Sequence, residues 1–188
     1  MGNSETRKKA TSIRQEQIRA KEPLLLHGKD EPRFIADVML GRLAKWLRIA
    51  GFDVLYSNKF LDDELISLSN RDGRILLSRD TRLLVRKSVK EFIFLESQNI
   101  QDQIKQILEV THTAGLPSLL TRCLSCNETL IEAARESVRN CVPTFVYETQ
   151  LHFKSCPKCR KVFWAGTHRR SVIRTLEKLL SHPTRDHD

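Results

Sequence analysis

From Phe34 onward, apolar positions alternate between short continuous runs and helical spacing. Phe34-Ile35-Ala36, ending in Asp37, is a run of the kind that fills a strand buried on both faces. Met39, Leu43, Trp46, Leu47 and Ala50 then recur at helical intervals, and Gly51 stops that helix. Phe52 to Tyr56 predicts a second strand, and Asp62-Asp63-Glu64 opens a helix with Leu65, Ile66 and Leu68 on its apolar side. Beyond Gly73, Arg74-Ile75-Leu76-Leu77-Ser78 predicts a third strand that runs into Arg79-Asp80 and a helix carrying Leu83 and Leu84. Phe92 to Leu95 follows as a fourth strand, and Ile100, Ile104, Ile107 and Leu108 mark the amphipathic helix after it. Strands and helices that alternate with short connections predict an α/β domain whose mainly parallel sheet is flanked by helices.

The pattern is different at both ends. Residues 1–32 are polar, mixed in charge and broken by Pro23 and Pro32, which predicts a flexible leader. Its first residues, Met1-Gly2-Asn3-Ser4-Glu5-Thr6 before Arg7, Lys8 and Lys9, satisfy the loose N-myristoylation pattern on Gly2, a motif short enough to recur by chance. The α/β domain is expected over residues 33–118. After Gly115 and Pro117 come cysteines, scattered aromatics and β-like runs at Phe145 to Tyr147 and Val162 to Trp164, a separate module over residues 119–170. In 171–188, Val172, Ile173, Leu176, Leu179 and Leu180 form a stripe that predicts a terminal helix docked on the body.

Four of the five cysteines form two knuckles, Cys123-Leu124-Ser125-Cys126 and Cys156-Pro157-Lys158-Cys159. Two such knuckles supply the tetrahedral thiolate set of a structural zinc site, with no coordination position left open for chemistry. Metal binding then contributes folding free energy to a segment poor in apolar residues. A thioredoxin-like redox pair needs only one knuckle, at a strand–helix junction. Cys141 stands apart and reads as a small buried residue.

Carboxylates recur where the predicted parallel strands end, the rim at which open α/β sheets gather ligands. Asp37 closes the first strand, Asp62 and Asp63 follow the second, and Asp80 lies just past the third. Oxygen ligands in that arrangement suit Mg²⁺ or Mn²⁺, which keep several waters and bind substrate phosphate. Each aspartate also stands where a residue caps a helix, so capping is the competing reading. His168 is either a phosphate donor, a general acid or a hydrogen-bonding residue packed beside the cysteine module. No P-loop, GxGxxG or nucleophile elbow is present.

Composition narrows the partner. The 188 residues carry 32 Lys plus Arg against 23 Asp plus Glu, a net charge of +9 that attracts polyanions. Lys158, Arg160 and Lys161 surround the second knuckle, and Arg169 and Arg170 follow it, so a phosphate-contacting surface is expected there, with an ordinary solvated face as the alternative. Aromatic residues make up only 6%, which argues against a broad base-stacking platform. Apolar runs fall well short of the roughly 20 residues that span a bilayer, and no apolar signal-peptide core follows the basic amino terminus. A soluble protein of the reducing cytoplasm is expected.

Phe34-Ile35-Ala36-Asp37, Leu40-Gly41-Arg42-Leu43-Ala44-Lys45-Trp46-Leu47-Arg48, Gly51-Phe52-Asp53 and Ile75-Leu76-Leu77-Ser78-Arg79-Asp80 together resemble the Mut-seven carboxy-terminal ribonuclease domain family, a branch of the PIN-like nucleases. The resemblance continues through Arg122-Cys123-Leu124-Ser125-Cys126-Asn127, Cys156-Pro157-Lys158-Cys159 and Phe163-Trp164-Ala165-Gly166-Thr167-His168. It implies a PIN-like fold with an appended zinc ribbon and a metal-dependent ribonuclease that leaves 5′-phosphate and 3′-hydroxyl ends. By position, Asp37 matches the first acid of the pattern, Asp62 or Asp63 the second and Asp80 the third, with Asp37 and Asp80 the implied Mg²⁺ or Mn²⁺ ligands. Arg79 is an implied phosphate contact. Thr81 and Arg82 stand where many such nucleases have a fourth acid, and Asp102 is a weak substitute. The expected function is hydrolysis of RNA, single-stranded or structured. The alternative is a catalytically weak or inactive RNA-binding or scaffold module whose ribbon recruits a protein partner.

Overall fold

Both faces of the parallel sheet are covered, which explains why its strands are continuous apolar runs rather than alternating ones. The computed structural model describes residues 16, 18, 32–111, 119–166, 174 and 176. These belong to two compact units, one drawn from residues 1–47 and 52–114, the other from 48–51 and 115–188.

In the first unit, β1 (Arg33–Ala36), β2 (Asp53–Tyr56), β3 (Ile75–Ser78) and β4 (Phe92–Phe94) pair in the order β2-β1-β3-β4, every pair parallel. Ala36 stands opposite Tyr56 on one side and Leu77 on the other, and Ser78 opposite Phe94. All four residues of β3 are buried. Helices α1 (Gly41–Ile49), α2 (Asp62–Asp72), α3 (Thr81–Leu84) and α4 (Ile100–Val110) fall in the connections and after the last strand. The chain reaches α1 through a 3-10 turn, Val38–Leu40, where sequence spacing predicts continuous helix from Met39. Gly73, at φ 59°, ends α2 by sending its N–H back to the Ser69 carbonyl.

The core of this unit gathers Ile35, Leu65, Leu76, Leu84, Val89 and Phe92. Ile18 joins it: although it lies in the segment read as a leader, it is helical and fully buried. Apart from Glu16, the rest of residues 1–31, Gly2 included, lies outside the described residues. Among the described residues, no helix is long and apolar enough to cross a membrane.

The second unit holds an antiparallel sheet of β5 (Ile131–Ala133), β6 (Phe153–Ser155) and β7 (Val162–Trp164), in that order. Of the two β-like runs in the sequence, Val162–Trp164 is a strand, whereas Phe145 to Tyr147 lies in a helix, α5 (Thr144–Thr149). Long-range contacts favour the helix: Arg135 stacks 4.6 Å over the Tyr147 ring and donates to the Tyr147 carbonyl at 2.8 Å. Cys141 is exposed, not buried as its residue type suggests, because Val138, at the end of a 3-10 turn (Arg135–Val138), takes the buried place beside it. Arg174 and Leu176 are helical, the first exposed and the second buried, and the remaining residues of the predicted terminal helix lie outside the described ones.

Truncation in the central strand should cost far more than truncation at the rim. Ile35→Ala is expected to lower the unfolding free energy by about 2–5 kcal/mol, because the cavity has no side chain free to fill it. Met39→Ala, at 57% exposure, should change it by less than about 0.5 kcal/mol. Urea denaturation of the two variants beside the parent checks both, and equal costs would contradict the burial described.

Candidate functional site

Parallel pairing of β1 with β3 extends one step past the strand, where the Asp37 N–H donates to the Leu77 carbonyl at 3.0 Å. Asp37 therefore leaves the sheet beside Ser78, whose fully buried hydroxyl donates to Asp37 Oδ2 at 2.6 Å. Ser78 Oγ in turn accepts the Asp80 N–H at 2.9 Å. One hydroxyl thus ties two of the predicted acids together through β3. Asp37 is only 4% exposed and occupies the N-cap position of the 3-10 turn, yet its side chain makes no capping bond. A carboxylate kept out of water and out of the capping role is available for other work.

The remaining acids are engaged differently. Asp80 caps α3, accepting the Arg82 N–H at 2.7 Å on Oδ1. Asp62 and Asp63 lie in the first turn of α2 and are exposed, and Arg86 bridges to both. Asp102, in the first turn of α4, accepts from the Ser97 hydroxyl at 2.8 Å. Arg79 Nε is buried with no hydrogen-bond partner among the described residues. Ser78 and its double role escaped the sequence reading, although it stands between the last apolar residue of β3 and Arg79-Asp80, where a polar residue at a buried strand position signals a hydrogen-bonding task.

Among the described residues, only the four cysteines form a group of three or more His, Cys, Asp or Glu side chains able to surround one ion. Asp37, Asp62, Asp63 and Asp80 do not converge in that way. A Mg²⁺ or Mn²⁺ ion needs less, since it is held by one or two carboxylates and keeps its waters. Ser78 connects the Asp37 carboxylate to the backbone N–H of Asp80, whose own carboxylate caps α3.

In the second unit, Sγ atoms of Cys123, Cys126, Cys156 and Cys159 all lie within 4.8 Å of one another and are placed to hold a metal ion such as zinc. The closest approaches are 3.5 Å for Cys123 to Cys159 and 3.3 Å for Cys126 to Cys156, near the spacing of about 3.8 Å that a Zn–S length of about 2.3 Å gives in a tetrahedron. Both knuckles fold alike. Cys123 N–H donates to Glu128 O and Asn127 N–H to Cys123 O, while Cys156 N–H donates to Lys161 O and Arg160 N–H to Cys156 O. Asn127 and Arg160 close the two loops at φ 69° and 59°. Arg48, in the 48–51 stretch of this unit and 3% exposed, donates to the Leu124 and Ser125 carbonyls at 3.0 and 3.3 Å. That role was also unread in the sequence, although Arg48 interrupts a helix stripe of apolar residues.

The thiols are not equivalent. Burial pushes Cys156 up, but the Cys159 N–H, the Cys126 thiol and the Lys158 N–H together outweigh it and bring its pKa down to about 7. Burial raises Cys126 first and the Cys156 sulfur raises it further, to about 12. The two shifts favour thiolate at Cys156 over Cys126, whose sulfurs lie 3.3 Å apart.

Of the basic residues expected to contact phosphate, Lys158 pairs with Glu128 at 3.4 Å and Lys161 donates to Ser125 Oγ at 2.7 Å. Arg160 is exposed at the tip of the second knuckle. His168, Arg169 and Arg170 lie outside the described residues.

The chain thus combines a mainly parallel α/β sheet flanked by helices with a four-cysteine centre of the kind that a zinc ribbon carries. The family model described as the Mut7-C RNAse domain matches residues 32–176, and the chain belongs to that family. No curated protein and no solved structure matches the chain.

Zinc should bind at about one ion per chain in reduced protein, and Cys156→Ser should abolish stoichiometric binding. Uptake must displace the Cys126 proton, so titration calorimetry near neutral pH should give a heat that depends on the buffer, with affinity falling as pH falls. A buffer-independent heat, or zinc retained by the serine variant, would contradict the site.

Proposed function

We propose that the protein is a metal-dependent ribonuclease that hydrolyses RNA phosphodiester bonds at the carboxyl rim of the sheet. Asp37 carries this reading, because its buried carboxylate takes no part in capping and is oriented by Ser78 toward the start of the Asp80 segment. Asp37 and Asp80 would hold one Mg²⁺ or Mn²⁺ ion, which when bound supplies an activated water and stabilises charge developing on the phosphate. Asp37 keeps its orientation through Ser78, so little reorganisation is needed at the moment of reaction. Asp62 and Asp63 add negative charge near the second strand once Arg86 turns from them to the substrate. Arg79, whose Nε has no partner among the described residues, holds a non-bridging phosphate oxygen.

Lys158, Arg160 and Lys161, with His168, Arg169 and Arg170, belong to the same proposal as residues that hold the strand by its phosphates. Binding through them weakens steeply as salt rises. A reducing compartment such as the cytoplasm suits a protein that needs four free thiols.

One observation favours the second reading, an RNA-binding or scaffold module of little or no activity. Asp80 is spent on a helix cap and Asp62 and Asp63 on Arg86, and among the described residues no group of three carboxylates gathers at Asp37.

Labelled single-stranded and hairpin RNAs distinguish the two. With Mn²⁺ the parent chain should cut them, EDTA should stop cleavage, and Asp37→Asn or Asp80→Asn should lower kcat by at least about a hundredfold. Cleavage that survives both chelator and substitutions removes the carboxylate mechanism, and binding without cleavage supports the module.

A further inference from the structure

Tyr56 ends β2 opposite Ala36, the residue before Asp37. Its hydroxyl donates to the Val38 carbonyl at 3.0 Å, so a side chain from the neighbouring strand holds the Val38–Met39 peptide, one residue past Asp37. The ring lies against Gly41, the first residue of α1. A Cβ there would stand 2.5 Å from Tyr56 Oη, 2.9 Å from Cζ and 3.3 Å from Cε1, closer than packed atoms tolerate. Gly41 has ordinary helical angles, φ −58° and ψ −32°, which any residue adopts. Glycine weakens a helix relative to alanine, and no backbone requirement explains it at this position. Room for the phenol does.

The turn that this contact holds is short of other support. Asp37 gives it no side-chain cap, and its internal bond is the Leu40 N–H to the Asp37 carbonyl at 2.9 Å. An Asp at such a position ordinarily turns its carboxylate back to cap the helix. Here Ser78 draws the carboxylate toward β3, while Tyr56 grips the next carbonyl from the β2 side. With both grips in place, the carboxylate can face the rim while the turn stays formed.

We propose that Tyr56 is the positioning residue for Asp37, acting through the 3-10 turn, and that Gly41 is the space its hydroxyl requires. The assignment rests on the ribonuclease reading for its catalytic meaning, but the clamp itself is open to measurement without activity. Tyr56→Phe in the full zinc-loaded chain keeps the ring and removes the bond to Val38. Amide hydrogen exchange by NMR should then be about three- to tenfold faster at Leu40, the size expected for one lost hydrogen bond, while Leu76 in β3 stays within about twofold. With Mn²⁺ and single-stranded RNA, kcat should fall about tenfold to a hundredfold with KM for RNA unchanged, as for a misplaced carboxylate rather than lost binding. Gly41→Ala should produce both effects, and it should produce them more weakly when Tyr56 is already Phe, because the closest clash is with the hydroxyl oxygen.

Unchanged exchange at Leu40, or equal acceleration at Leu40 and Leu76, overturns the clamp. Full kcat in Tyr56→Phe, from a parent that cleaves RNA, overturns the positioning role. A parent chain that cleaves nothing with Mn²⁺ sinks the ribonuclease reading alone, and exchange at Leu40 then decides the clamp by itself.

Discussion

The register between β1 and β3 is the constraint from which the rim follows. Ala36 pairs with Leu77, so the next residues, Asp37 just past β1 and Ser78 at the end of β3, stand at the same level. A slip of one residue would turn each side chain to the opposite face and break the Ser78–Asp37 bond. The apolar content of both strands resists that slip, since Phe34, Ile35, Leu76 and Leu77 are all fully buried. Sheet packing and the orientation of the carboxylate are thus a single energetic fact.

The four parallel strands and the helices between them were legible because covered strands leave continuous apolar runs and the crossover helices leave a helical period. Paired knuckles were legible because thiolate chemistry dictates their spacing. The strands β5 and β6 were not, since Ile131-Glu132-Ala133 and Phe153-Lys154-Ser155 form no continuous apolar run. Phe145 to Tyr147 misled because aromatic and β-branched residues favour strands in general, whereas here Arg135, twelve residues away, packs on the Tyr147 ring. Ile18 shows a different limit: one core residue surrounded by polar neighbours carries no pattern.

At the rim, residue type and position identified the acids, but not their engagements. Capping and ligation ask for the same residue in the same place, and only side-chain torsions separate them. Asp80 turned out to cap while Asp37 did not, a distinction set by Ser78 on a neighbouring strand. Long-range partners of this kind, Arg48 on the knuckle carbonyls among them, have no signature in local spacing.

The two knuckles share a backbone but not the residue that closes it. Asn127 fills the left-handed position in the first, where its short amide is at ease, and Arg160 fills it in the second, where a long side chain costs on the order of 1–2 kcal/mol. The bonds around Cys156 hold that guanidinium's backbone against its own preference. Its aim is therefore an elastic property of the metal loop, and a ribbon emptied of its ion would lose the direction of this charge before it lost the charge itself.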